Sequence, residues 1–216
     1  MQKQFKLALA CAIGALLSTS ALANTSKVGG SVYSLDQSHT FVTFEIGHFG
    51  TSTNRGRFDR TSGEVYLNPS LKIGSLNATI DATSINTGWP KFLNHLRSHE
   101  LLNVEKFSTI DFKSNKFDFS GEKVTAIQGD LTFLGVTQPV TLTAKNYNCF
   151  LSPMLKKEVC GGDFETVLDR SQFGLNYGIN FGFPKEVKIV IQVEAVKKDN
   201  TEARDSESVL QIDKKL

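Results

Sequence analysis

The chain has 216 residues and a formal charge of +2, a length that suits one domain with a sizeable core. Residues 1–23 hold Lys3 and Lys6 and no acid, so their removal leaves 22 basic against 22 acidic residues. A neutral domain lacks the surplus of Lys and Arg that neutralises phosphates, which argues against nucleic acid as a partner.

Residues 1–23 read as a removable export signal. Lys3 and Lys6 make a positive start, residues 7–17 are apolar and uncharged, and Ala21-Leu22-Ala23 supplies small residues for cleavage. The apolar run is shorter than the roughly 18 residues of a membrane span. Cys11 lies inside that run after Ala8-Leu9-Ala10, a poor context for lipid acylation. The mature chain is expected to begin at Asn24, with residues 24–30 as a linker, and to reside in the periplasm or outside the cell. No later segment reads as transmembrane.

From residue 31 onward the dominant pattern is alternation with period two, the mark of strands with one buried face. Val42, Phe44 and Ile46 alternate with Thr43 and Glu45; Leu76, Ala78 and Ile80 with Asn77, Thr79 and Asp81. Residues 107–119 and 124–133 continue as strands. Val140, Leu142 and Ala144 alternate with polar partners, as do Val187, Ile189, Ile191 and Val193. Turn residues separate these runs: Asn68-Pro69, Ser120-Gly121-Glu122, Gly135, Gly161-Gly162 and Phe183-Pro184. Within the long run 55–67, Gly63 is expected to mark a bulge or bend. One stretch reads as helix, 91–98, started by Pro90. About eight strands with one short helix predict an all-β antiparallel sheet, closed as a barrel or folded as a sandwich because closure removes exposed edges. The 16 Phe against 4 Tyr and 1 Trp supply much apolar area without polar tips, which suits a greasy core or a greasy cavity. Residues 198–216 are mostly polar and form a tail that cannot bury enough surface to fold alone; Val209, Leu210 and Ile212 are candidates for one docking turn.

Two cysteines follow the signal. In an oxidising compartment Cys149 and Cys160 are expected to form a disulfide that holds two strand ends across a loop containing Pro153. With no nearby histidine they make a poor metal site.

Catalytic patterns are weak, and the chain is not read as an enzyme. His39 and His48 are separated by an odd number of residues, so a flat strand points them to opposite faces; both read as structural. His95 and His99 share a helix face by spacing, but no third ligand is apparent, so no metal is expected. There is no Gly-x-Ser-x-Gly elbow. Glu64, Asp81 and Glu165 read as surface carboxylates on strands. A polar cluster of Asn94, His95, Arg97 and Ser98 with Arg55 and Arg57 is a candidate to meet a ligand head group if the helix caps the barrel mouth.

Several motifs resemble one family. Tyr33-Ser-Leu-Asp36, Ser38-His39 and Phe44-Glu-Ile-Gly-His48-Phe-Gly50 resemble its first strand; Arg57-Phe58 and Gly63 its second. Thr83-Ser-Ile-Asn-Thr-Gly88 with His95-Leu-Arg-Ser98 resembles its passage into the helix. Gly129-Asp-Leu-Thr-Phe-Leu-Gly-Val-Thr-Gln-Pro-Val140, Asp169-Arg-Ser-Gln-Phe-Gly174 and Glu186-Val-Lys-Ile189 resemble its later strands. Over residues 31–197 the chain is thus similar to the YceI-like family of lipid- or polyisoprenoid-binding proteins. The resemblance implies a lipocalin-like barrel with a long apolar tunnel, the helix near its mouth, and binding of amphiphiles such as isoprenoid chains or quinones. It implies no other cofactor, often a homodimer, and no catalytic residue. On that basis Phe44, Ile46, Phe112, Phe119 and Phe133 are candidate tunnel-lining residues, and Arg57, His95 and Ser98 candidate head-group contacts. Trp89-Pro90-Lys91-Phe92 departs from the family pattern at the expected mouth. The alternatives are an enzyme acting on a lipid head group through His95, and a solid-cored module without ligand.

Overall fold

The computed structural model describes residues 29–199. The signal segment with Cys11, most of the linker and nearly all of the tail lie outside the described residues. Strands are β1 (Ser31–Leu35), β2 (Phe41–His48), β3 (Ser52–Phe58), β4 (Thr61–Asn68), β5 (Ile73–Asp81), β6 (Ile85–Asn86), β7 (Thr109–Ser120), β8 (Lys123–Phe133), β9 (Val136–Leu151), β10 (Glu158–Asp169) and β11 (Glu186–Lys197). A single α-helix among the described residues, α1 (Pro90–Arg97), sits between β6 and β7.

All pairings are antiparallel, and eight strands close on themselves in the order β1-β4-β5-β7-β8-β9-β10-β11, with β11 returning to β1. The closing contact pairs Leu35 with Ala195 and Tyr33 with Lys197. From β11 the sheet also continues through β2 and β3 to the two-residue β6, so β11 meets β1 near one end and β2 near the other. The eleven segments thus contain the expected eight-stranded barrel. The three extra segments, β2, β3 and β6, arise from three interruptions, the last being the turn Ala82–Ser84 that separates β6 from β5. β1 and β2 break at residues 36–40, where the buried Thr40 Oγ1 donates to Glu194 O at 3.1 Å and accepts from Glu194 N at 3.3 Å, replacing the missing ladder bonds. β3 and β4 break at Asp59-Arg60, where the Arg60 guanidinium bonds Asp81 Oδ2 at 2.8 and 2.9 Å.

That break corrects the expectation for Gly63. The bend falls at Asp59-Arg60, and Gly63 instead permits close approach of β5: a Cβ there would lie 2.3 Å from Asn77 O. The hairpin between β8 and β9 turns at Gly135, where a turn was expected. Phe133 pairs with Val136, and the two loop residues Leu134 and Gly135 have φ of 51° and 78°, the backbone that two-residue hairpins require.

The disulfide joins Cys149 to Cys160, which face one another in the β9–β10 register with Cα atoms 4.1 Å apart. Inward residues such as Ile80, Phe112, Ile127, Leu131, Leu142 and Phe164 form a ring of apolar wall rather than a filled centre.

Candidate ligand cavity

The barrel encloses a cavity of about 660 Å³, within the range of small-molecule sites. This volume overturns the solid-cored alternative. Four of the expected lining residues, Phe44, Ile46, Phe112 and Phe133, do line it. Gly56 makes room for one of them, since a Cβ there would fall 2.4 Å from the Phe44 ring. Phe119 is not part of the wall; it stacks on Phe117 at 6.3 Å between centroids, and Phe117 is the lining residue. A bulge between Lys113 and Lys116 places one extra residue in β7 and reverses its alternation beyond that point. A second bulge between Asp163 and Phe164, with its extra residue in β9, likewise brings Tyr147 to the wall beyond Ala144.

The cavity reaches the surface where α1, the β2–β3 turn and the segment after β10 converge. Trp89, 64% exposed, lines it there together with Phe92, His95, Tyr177, His48 and Phe183. Phe49 and Phe181 stand exposed around the same opening, and the Phe49 and Phe183 rings lie 4.8 Å apart. Trp89 and Phe92 of the Trp89-Pro90-Lys91-Phe92 stretch thus stand at the mouth. Proline in the first turn needs no amide hydrogen, which suits the start of α1. At its other end Ser98 Oγ donates to His95 O at 2.7 Å, and Arg97 Nη2 donates to Thr83 O at 2.7 Å, tying the helix to the wall.

Of the expected head-group contacts, only His95 reaches the cavity. Ser98 serves the end of α1 instead. Arg57 alternates with the buried Phe58 and so faces outward, where it bonds Asp59 Oδ1 at 2.6 Å and lies 4.1 Å over the Phe41 ring. Arg55 pairs with Glu45 at 2.7 Å. His95 Nε2 stands 3.3 Å from Glu100 Oε2, and its ring meets that of Tyr177 edge-on. His99 lies past the end of α1, so the shared helix face expected for His95 and His99 is not formed, and the described residues contain no group of three or more metal ligands. His39 is exposed and bonds Asp36 at 2.9 Å; His48 is packed against Phe49 and Phe183 at the mouth. The strand carboxylates are surface partners: Glu64 with Lys198, Asp81 with Arg60 and Thr83, Glu165 with Lys145 and Lys188. Hydrogen bonds from the two lysines hold Glu165 below the usual carboxylate range.

Arg170 was not singled out by residue type, because its motif marks a strand end rather than a site. It is 5% exposed and lines the cavity. Its Nε donates to Pro184 O at 2.9 Å, and its Nη1 to Leu175 O at 3.0 Å and Tyr177 O at 2.8 Å, strapping the segment that follows β10. Burial pulls its pKa down, opposed by the adjacent Asp169 charge. The Asp169 carboxylate itself is turned to Ser171, bonding its amide at 2.9 Å.

At the opposite end Tyr33 donates to Glu158, which also meets Lys197 at 3.3 Å. Burial, reinforced by the Glu158 charge, pushes the Tyr147 hydroxyl up to about 12, and Tyr33 is raised by burial, then by its hydrogen bond to Glu158 and the charge there.

A closed antiparallel barrel around an apolar, mouth-bearing cavity defines a lipocalin-like barrel protein. The YceI-like domain model matches residues 33–195. Protein YceI of Salmonella arizonae is 33% identical over 183 residues, covering 82% of this chain and 93% of that protein. The chain belongs to the YceI-like family. Among solved structures, the YceI protein of Campylobacter jejuni superposes with a TM-score of 0.61 at 24% identity, over 71% of this chain and 91% of that one. A polyisoprenoid-binding domain from Saccharophagus degradans gives 0.58 at 15% identity, over 77% and 98%.

Proposed function

We propose that this chain is an exported carrier of amphiphilic lipids, polyisoprenoids or isoprenoid quinones foremost, with the tail threaded into the barrel and the head group at the Trp89–Tyr177 mouth. The single observation that carries the reading is the cavity itself: about 660 Å³ of apolar-walled space reaching the surface between α1 and the segment after β10. Each methylene moved from water into such a space contributes about 0.8 kcal/mol, so a long chain binds tightly with few polar contacts. The Saccharophagus degradans domain of the same fold is named for polyisoprenoid binding, which supports the ligand class. Export is supported by the charge and apolar pattern of residues 1–23; mature protein from the cell envelope should begin near Asn24.

Mass spectrometry of lipid extracted from gently purified protein tests the carrier function. Recovery of a prenyl lipid is the expected result. Protein that carries none, and that fails to take up long isoprenoids in titration, would sink the reading.

The His95–Glu100 pair favours a second reading, an enzyme in which His95 moves a proton on a lipid head group. His95→Ala separates the two. Unchanged lipid uptake and release of intact lipid support a carrier; a chemically altered lipid that requires His95 supports the enzyme.

A further inference from the structure

Among the described residues Arg170 is the one arginine or lysine on the wall of an otherwise mainly apolar cavity, and it is almost fully buried. Three of its five N–H groups go to backbone carbonyls of Leu175, Tyr177 and Pro184. Its remaining amino group, Nη2, has no hydrogen bond to any described residue, and no described carboxylate comes within ion-pair distance of the guanidinium. Asp169, its neighbour in sequence, spends its hydrogen bonds on Ser171. Carbonyl dipoles hold the fork in place but do not neutralise it, the Asp169 charge acts on it only without contact, and a charge taken out of water without a direct ion pair is costly. Holding a loop by its carbonyls needs donors; it does not need a full positive charge facing a greasy cavity. The carbonyls that Arg170 grips belong to the segment carrying Tyr177 and Phe183, so the guanidinium sits at the mouth end, on the wall that His95 and Tyr177 also line.

We infer that Arg170 anchors the head group of the bound amphiphile and that this head group is an oxyanion, so the chain selects a phosphate-ended prenyl chain over an uncharged alcohol. The inference rests on the carrier reading above and narrows it. A guanidinium matches phosphate oxygens with paired, charge-assisted hydrogen bonds. Asp169, next in sequence, supplies counter-charge only through space; the bound oxyanion supplies the direct ion pair that the guanidinium lacks, while the apolar wall takes the tail.

The test compares geranylgeranyl monophosphate with geranylgeraniol, two probes with one tail, on the full chain and on Arg170→Gln. Wild type should bind the phosphate at least about 10-fold more tightly, as expected of a hydrogen-bonded charge pair. Arg170→Gln should lose that preference, with the alcohol as the reference ligand. Equal wild-type affinity for both probes, or a preference that persists in Arg170→Gln, overturns the inference. Should Arg170→Gln fail to fold because the loop loses its donors, Arg170→Lys replaces it. That change keeps the charge and removes the fork, and the preference should fall without vanishing; the wild-type ratio decides in either case. If neither probe binds wild type, the carrier reading itself has failed, a result distinct from binding without preference.

Discussion

The ring of His95 meets the ring of Tyr177 edge-on, 4.9 Å between centroids and 84° between planes. The contact joins the last turn of α1 to the segment strapped by Arg170, and so spans the mouth of the cavity. Removing it should loosen the opening without emptying the barrel. Tyr177→Ala is expected to speed release of a fluorescent prenyl probe several-fold while its equilibrium uptake changes less. Stopped-flow release at the wild-type rate would show that the pair does not control passage.

Filling the cavity should abolish long-chain binding and leave the fold in place. Ala78 lies on the inner face of β5 between Leu76 and Ile80 and lines the cavity. Ala78→Phe puts a ring into space that is otherwise open, so the usual overpacking cost of about 1–3 kcal/mol is largely avoided. Isothermal titration should show loss of long prenyl ligands, with thermal unfolding nearly unchanged. Full retention of binding would mean the ligand lies elsewhere.

Cys149 and Cys160 close an eleven-residue separation across adjacent strands. In the chain-entropy view such a link contributes about 3 kcal/mol, and in a domain of this size that corresponds to a fall of about 6–12 °C in Tm on its removal. Replacing both by Ser, or reducing the protein, should lower Tm by that order in calorimetry. Cys160 also lines the cavity, so ligand affinity should be measured alongside.

Stability should fall at both ends of the pH scale through the Tyr33–Glu158–Lys197 cluster. The hydrogen bond from Tyr33, then that from Lys197, holds Glu158 below its ordinary 4.5, so its contribution is present above that pH and is lost as pH falls below it. Burial raises Tyr147 from 10.0 to about 12 and moves Tyr33 in the same direction. Their contribution is complete below pH 10 and is lost as pH rises through the folded values. Tyr33→Phe should flatten the alkaline fall and lift the Glu158 titration, read by urea unfolding across pH. An alkaline fall identical to wild type would place its origin outside Tyr33.

Much of the barrel was legible along the chain. Alternation in β2, β5 and β11 put Phe44, Ala78 and Ile189 inward, and the turn around Gly135 lay where the paired Phe133 and Val136 need it. Phe117 and Tyr147 were not legible. Each lies beyond a bulge that shifts the period by one residue, and a bulge is a property of two paired strands rather than of one. The misplacement of Arg57 had a readable warning, since its neighbour Phe58 claims the inner face. Arg170 had none: an arginine at a strand end reads as exposed until the chain wraps over it.

Period-two patterning, a phenylalanine-rich composition and one proline-started helix were enough to specify strands with one greasy face and their approximate number, because side-chain direction in a strand depends only on local backbone geometry. Tertiary structure decided what those faces enclose. Ring closure of β11 onto β1 left space instead of contact at the centre, and convergence of three distant segments made the mouth. Burial of Arg170 beside that mouth likewise arises only when residues far apart in the chain meet, and no local pattern records such a meeting.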